Sequence, residues 1–187
     1  MKFLELVLIA LGLSMDAFAV SISIGLSVKK PKHYELIIPG VYFGFFQALM
    51  TFVGYFSGTF FATKIQYLDH WIAFILLSLT GGKMILESFS KTEKNIEGNP
   101  FLIFKMLLLS IATSIDALIV GITLPFFEIN ILSTVLLIGL ITFFLSIIGV
   151  KVGNICGKNC KSKAQFIGGA ILITLGLKVL IEHLFFS

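Results

Sequence analysis

Two aspartates, Asp16 and Asp116, hold the chemistry open to this sequence. Each sits inside an apolar run, LGLSMDAFAVSISIGL at 11–26 and IATSIDALIVGITLPF at 111–126. A carboxylate in hydrocarbon costs about 2.5–3.5 kcal/mol on insertion scales, and such residues mark ion or proton pathways. At helical spacing the neighbours of Asp16 are Gly12, Ala19, Ser23 and Ser27, and those of Asp116 are Ala112, Ile119 and Thr123. Ser14 and Ser114 stand two residues before each carboxylate. Small residues allow close backbone approach in a membrane, and hydroxyls offer oxygen to a carboxylate or a cation. A pair of carboxylates balances one divalent cation or two protons, and a close pair titrates as a coupled unit.

The candidate ligand set is therefore Asp16, Asp116, Gln47, Ser14, Ser114, Ser23 and Thr123, all oxygen donors. Oxygen-only surroundings suit a hard ion such as Mn2+ or Mg2+. No cysteine or histidine falls at the middle of an apolar run, which argues against zinc or copper(I). Gln47 and Thr51 of the second run, with Thr142 and Ser146 at the matching places of the fifth, serve interhelical hydrogen bonding as readily as ion coordination. Gly54-x-x-x-Gly58 and Gly149-x-x-x-Gly153 read as close-packing faces.

These residues need helices in a bilayer to position them. The chain of 187 residues is 57% hydrophobic and 13% charged, with mean hydropathy +1.03, whereas a soluble domain carries about 25% charged residues. Six apolar runs of bilayer-spanning length lie at about 3–27, 39–61, 71–89, 101–124, 134–153 and 166–186. The runs are continuous rather than alternating, which excludes a β-barrel. The fold class is thus an all-α integral membrane protein forming one membrane domain over 1–187. The first run is too long for a signal peptide, carries Asp16 and ends without a small-residue cleavage site. Pro31, Pro39, Pro100 and Pro125 read as loop or segment-end residues, because proline breaks a helix interior.

Lysines supply the topology. Lys29, Lys30, Lys32, Lys91, Lys94, Lys158, Lys161 and Lys163 follow runs one, three and five, against Lys2 and Lys64 on the other side. The positive-inside rule puts the basic loops in the cytoplasm and both termini outside. This distribution accounts for the net charge of +4 without a nucleic-acid partner. Cys156 and Cys160 lie in a basic loop and make an incomplete metal site. Lys83–Glu87 and Lys178–Glu182 read as structural pairs near helix ends, and His70, Trp71 and His183 as interfacial residues.

The chain also repeats itself. Aligning Asp16 with Asp116 matches Ser14 with Ser114, Ala17 with Ala117, Val20 with Val120 and Ile22 with Ile122. Further on, Gly44, Gly54 and Gly58 meet Gly139, Gly149 and Gly153, and Gly81, Lys83 and Glu87 meet Gly176, Lys178 and Glu182. Three matching blocks in the same order imply a duplicated three-helix unit, repeat one over 1–90 and repeat two over 101–187. Three crossings per unit invert the second relative to the first, the layout of many secondary transporters with a midplane site. At 1.5 Å per residue both aspartates fall about 20 Å from a helix end, near mid-membrane.

LSMDAFAVS at 13–21, HWIAF at 70–74, GGKMILE at 81–87 and IATSIDA at 111–117 resemble the MntP-type manganese efflux pumps of bacteria, in order along the whole chain. The resemblance implies six transmembrane helices, a location in the bacterial inner membrane, and export of Mn2+ as substrate with no cofactor and no enzymatic activity. It also implies that Asp16 and Asp116 handle the metal. The family pattern in segment two sets an acidic residue or Gln four positions before Pro, where this chain has Gln47 and Thr51, and the linker at 91–100 is short. Other readings stay open: export of another divalent metal or an amino acid, an intramembrane aspartyl protease, or a thiol–disulfide carrier. Asp116 lacks the G-x-G of such proteases, and a thiol carrier needs cysteines where Asp stands.

Overall fold

The computed structural model describes residues 3–28, 31–62, 69–89, 100–127, 129–156 and 159–186. They form six α-helices: α1 Phe3–Ser27, α2 His33–Ala62, α3 Asp69–Phe89, α4 Ile103–Thr123, α5 Ile131–Cys156 and α6 Asn159–Phe186. A 3-10 turn, Leu124–Phe126, extends α4 through Pro125. Among the described residues no strand is present. Among the described residues four helices are long and apolar enough to cross a membrane, over Leu4–Ser27, His33–Phe60, Ile103–Phe126 and Ile131–Ile155. α3 and α6 are less apolar, and they pack along each other.

Three helix starts differ clearly from the sequence reading. α6 begins at Asn159 rather than near 166, so Cys160, Lys161 and Lys163 fall in its first turns rather than in a loop. α2 and α5 differ for local reasons. α2 begins at His33, so Pro39 lies inside it rather than at its start. Glu35 makes this start possible: its Oε2 accepts a hydrogen bond from the Lys32 backbone N–H at 2.7 Å, while the Glu35 N–H donates to the Lys32 carbonyl at 3.0 Å. That is the carboxylate half of a capping box, and it sets the first turn before the apolar run begins. Pro39, in the second turn, lacks the N–H that the Glu35 carbonyl would otherwise receive. α5 starts at Ile131 because Asn130 caps it, its Oδ1 accepting from the N–H of Leu132 at 3.1 Å and Ser133 at 3.3 Å.

The helices form a closed ring in the order α1, α5, α2, α4, α3, α6, with α1 and α4 also touching across its middle. Glycines set two of the seams. On α4 a Cβ at Gly121 would stand 2.5 Å from the Thr51 carbonyl oxygen and 3.0 Å from the Gly54 Cα of α2. On α5 a Cβ at Gly149 would stand 2.8 Å from the Phe18 carbonyl oxygen of α1. Gly54 and Gly58 face Leu118 and Ile122, and Gly153 faces Ile22, as closely. Such backbone-to-backbone contact is what small residues provide between membrane helices. Between α2 and α5, Gly44 and Gly139 meet each other. The last side of the ring is uneven: α6 lies along α1, where Leu172 packs on Gly12, whereas α3 touches α4 lightly.

Apolar side chains gather in two clusters along this ring. One holds Ile9, Ala10 and Leu13 from the N-terminal half of α1 with Met84, Val120, Ile138 and Leu172. The other holds Ala17 and Ile24 from the C-terminal half of α1 with Phe43, Met106 and Val150. The outward surface carries large apolar residues such as Phe45, Phe56, Leu108, Phe144 and Ile148. A bilayer, not water, is the solvent that suits such a surface.

Candidate functional site

Between the two apolar clusters the middle turns of four helices supply a belt of buried oxygen-bearing side chains. Ser14 and Asp16 come from α1, Gln47 and Thr51 from α2, Ser110, Thr113, Ser114 and Asp116 from α4, and Thr142 and Ser146 from α5. The two carboxylates are 8% and 4% exposed, at Asp16 and Asp116 respectively. Carboxylates this buried persist only with compensating charge or hydrogen bonds.

Part of the belt ties helices together. Ser14 Oγ and Thr142 Oγ1 lie 2.8 Å apart, joining α1 to α5. Each hydroxyl also lies within reach of its own helix, Ser14 Oγ 2.6 Å from Ala10 O and Thr142 Oγ1 2.8 Å from Ile138 O, so that one hydroxyl donates to its helix while the other donates across the seam. Gln47 Nε2 donates to Leu13 O at 3.1 Å, tying α2 to α1. Thr51 donates to Gln47 O at 2.8 Å. Other oxygens are left over: Gln47 Oε1, Ser114 Oγ and Ser146 Oγ are buried with no hydrogen-bond partner among the described residues. Buried acceptors of this kind invite a ligand that is a donor or a cation.

Residues two apart on a helix point in nearly opposite directions, so Asp16 points away from the side of α1 on which Ser14 meets Thr142 of α5. Asp116 faces α3: Lys83 Nζ lies 3.5 Å from both Asp116 Oδ1 and Oδ2. The pair joins a half-exposed ammonium to a buried carboxylate, with side-chain exposures of 49% and 6%. The sequence reading gave Lys83 a structural role beside Glu87 on its own helix, and the reach to Asp116 is a contact that reading lacked. Sequence spacing offers no signal for it, because the two residues lie on different helices.

Ser23 and Thr123 stand apart from the carboxylates. Each lies seven residues from the Asp of its own helix, about 10 Å along the axis at 1.5 Å per residue. Their hydroxyls donate within the helix, Ser23 to Ala19 O at 3.2 Å and Thr123 to Val120 O at 2.7 Å. Among the described residues no group of three or more His, Cys, Asp or Glu side chains gathers. The side chains of His70, Trp71, Glu87, Cys156, Cys160, Lys178, Glu182 and His183 lie outside the described residues.

The class this defines is a polytopic helical membrane protein with two carboxylates buried in an oxygen-lined belt. Residues 29–180 match a family model described as "Putative manganese efflux pump". A Campylobacter jejuni protein named "Putative manganese efflux pump MntP" is 54% identical, over 100% of both chains. Proteins of the same printed name from Desulfitobacterium hafniense and Acetivibrio thermocellus are 52% and 48% identical, over 98% of this chain and 96% and 93% of theirs. These relatives are named as pumps, not enzymes. No solved structure matches the chain. The chain belongs to the MntP family.

Proposed function

We propose that this protein exports Mn2+ from the cytoplasm as a secondary transporter, with Asp16 and Asp116 holding the ion at mid-membrane. The observation that carries the reading is the burial of both carboxylates in a belt that also contains unpartnered oxygens at Gln47, Ser114 and Ser146. Two negative charges balance one divalent cation, and neutral oxygens complete a hard-ion shell. Gln47 Oε1 suits that shell better than Ser14, whose hydroxyl is committed to α1 and α5, or Ser114, which two residues from Asp116 points to the opposite side of α4. Ser23 and Thr123, two turns from the pair with hydroxyls bonded to their own helices, stand outside that shell. The relatives' name supplies the choice of manganese over other hard cations.

In this reading all six helices cross the inner membrane, both termini lie outside, and the two three-helix units are related by a pseudo-two-fold axis in the membrane plane. The seams support it. Gly54 and Gly58 of α2 meet Leu118 and Ile122 of α4, and the aligned residues Gly149 and Gly153 of α5 meet Phe18 and Ile22 of α1. Gly44 and Gly139, aligned with each other, meet between α2 and α5, as residues on such an axis would. Two such units rocking about a shared site give alternating access. The empty carrier must return with its carboxylates compensated by protons or other positive charge, since bare buried carboxylates are costly.

Expression of wild type, Asp16→Asn and Asp116→Asn in bacteria lacking manganese efflux tests the reading. Wild type lowers cell manganese and restores growth in excess Mn2+, while both variants reach the membrane and do neither. Full protection by either variant refutes it.

A further inference from the structure

We propose that Lys83 is a tethered counter-cation for Asp116, taking the place of the transported ion when the carrier is empty. The inference rests on the cation-efflux reading above and identifies part of the charge that resets the site. Three observations carry it. Lys83 Nζ stands equally far, 3.5 Å, from both oxygens of Asp116. That is an ion pair at the outer limit of hydrogen-bond distance, which a divalent cation at about 2.1 Å displaces. The Lys83 side chain is half exposed while Asp116 is buried, so the ammonium has somewhere to go when the ion arrives. Finally, α3 touches α4 lightly, so Lys83 reaches Asp116 across a loosely packed seam.

The direction of the side chain fits. In a helix Cβ leans toward the N-terminus. Lys83 lies near the C-terminal end of α3 and leans toward its middle, the level of the belt that Asp116 occupies on α4. Ion binding and the ammonium therefore compete for one carboxylate. In the loaded state the cation neutralises the pair and Lys83 withdraws. In the empty state Lys83 returns and compensates Asp116 without a proton. In the sequence repeat Lys83 aligns with Lys178 and Asp116 with Asp16.

The consequence separates two fluxes. Net efflux needs the empty carrier to return; exchange of Mn2+ for Mn2+ across the membrane does not. The test uses the full chain in liposomes and measures net Mn2+ efflux and radioactive Mn2+ exchange on the same vesicles. For Lys83→Gln the ratio of net efflux to exchange falls by about three- to tenfold, the weight of one ion pair with a buried partner. Mn2+ binding in detergent tightens by a similar factor. Lys83→Arg, which keeps the charge, restores most of the ratio. Because the ratio does not depend on how much protein folds, poor assembly of Lys83→Gln leaves the comparison intact. A wild-type ratio in Lys83→Gln, or a ratio in Lys83→Arg as low as in Lys83→Gln, overturns the proposal. Asp116→Asn in the same vesicles tests the underlying reading separately: wild-type Mn2+ binding there sinks the cation site itself, whatever Lys83 does.

Discussion

Adding one methyl group at Gly121 tests how far the site depends on the seam between α2 and α4. A Cβ there meets the Thr51 carbonyl oxygen at 2.5 Å, with the Gly54 and Thr51 Cα atoms at 3.0 and 3.1 Å. All three are backbone atoms, so no rotamer change relieves the clash. Restoring ordinary contact at 3.4 Å requires α4 to move from α2 by about 1 Å. Overpacking of this kind costs about 1–3 kcal/mol. Gly82 of α3 is the control, because a Cβ there meets no atom within 4 Å. Both substitutions gain the helix propensity of alanine, about 1 kcal/mol over glycine, so the difference between them isolates the steric cost. Gly121→Ala is therefore less stable than Gly82→Ala by about 1–3 kcal/mol, measured as unfolding in micelles titrated with denaturing detergent and followed by circular dichroism. Function is more sensitive than stability. Asp116 lies on the helix that must shift, and metal sites tolerate ligand displacements of only about 0.2 Å, so the folded fraction of Gly121→Ala transports poorly. Equal stability of the two variants would refute the close seam.

Gly149→Ala, at the aligned position between α5 and α1, destabilises to a similar degree in the same detergent titration, because its Cβ meets the Phe18 carbonyl oxygen and Ser21 Cβ at 2.8 Å; a neutral result breaks the proposed equivalence of the seams. Ser23→Ala and Thr123→Ala keep manganese protection within about twofold in growth assays, since each loses only a bond to its own helix. Gln47→Leu removes both the donation to Leu13 O and the unpartnered Oε1. It weakens Mn2+ binding in equilibrium dialysis and lowers stability by about 1–3 kcal/mol; unchanged binding would take Gln47 out of the ion's shell.

The helices were legible because apolar runs of bilayer length admit little else, and all six segments of the sequence reading correspond to helices. The burial of Asp16 and Asp116 was legible for the same reason: a carboxylate in the middle of such a run has nowhere exposed to go. The start of α2 was not, because Glu35 acts through a backbone hydrogen bond to Lys32 that hydropathy does not register. For Ser23 and Thr123 the type and helical spacing were legible but the bonding was not: each hydroxyl bonds the carbonyl three or four residues back on its own helix, as helical hydroxyls often do. Lys83 was the largest omission. Its local motif pointed to Glu87, and only the packing of α3 near α4 brings Asp116 within its reach.

Efflux of Mn2+ by the purified protein in sealed vesicles, with Asp16→Asn and Asp116→Asn compared side by side, tests the two-carboxylate site most directly. The account predicts rapid efflux by the wild type and, for either variant, the rate of protein-free vesicles. Wild-type efflux by either variant would contradict it.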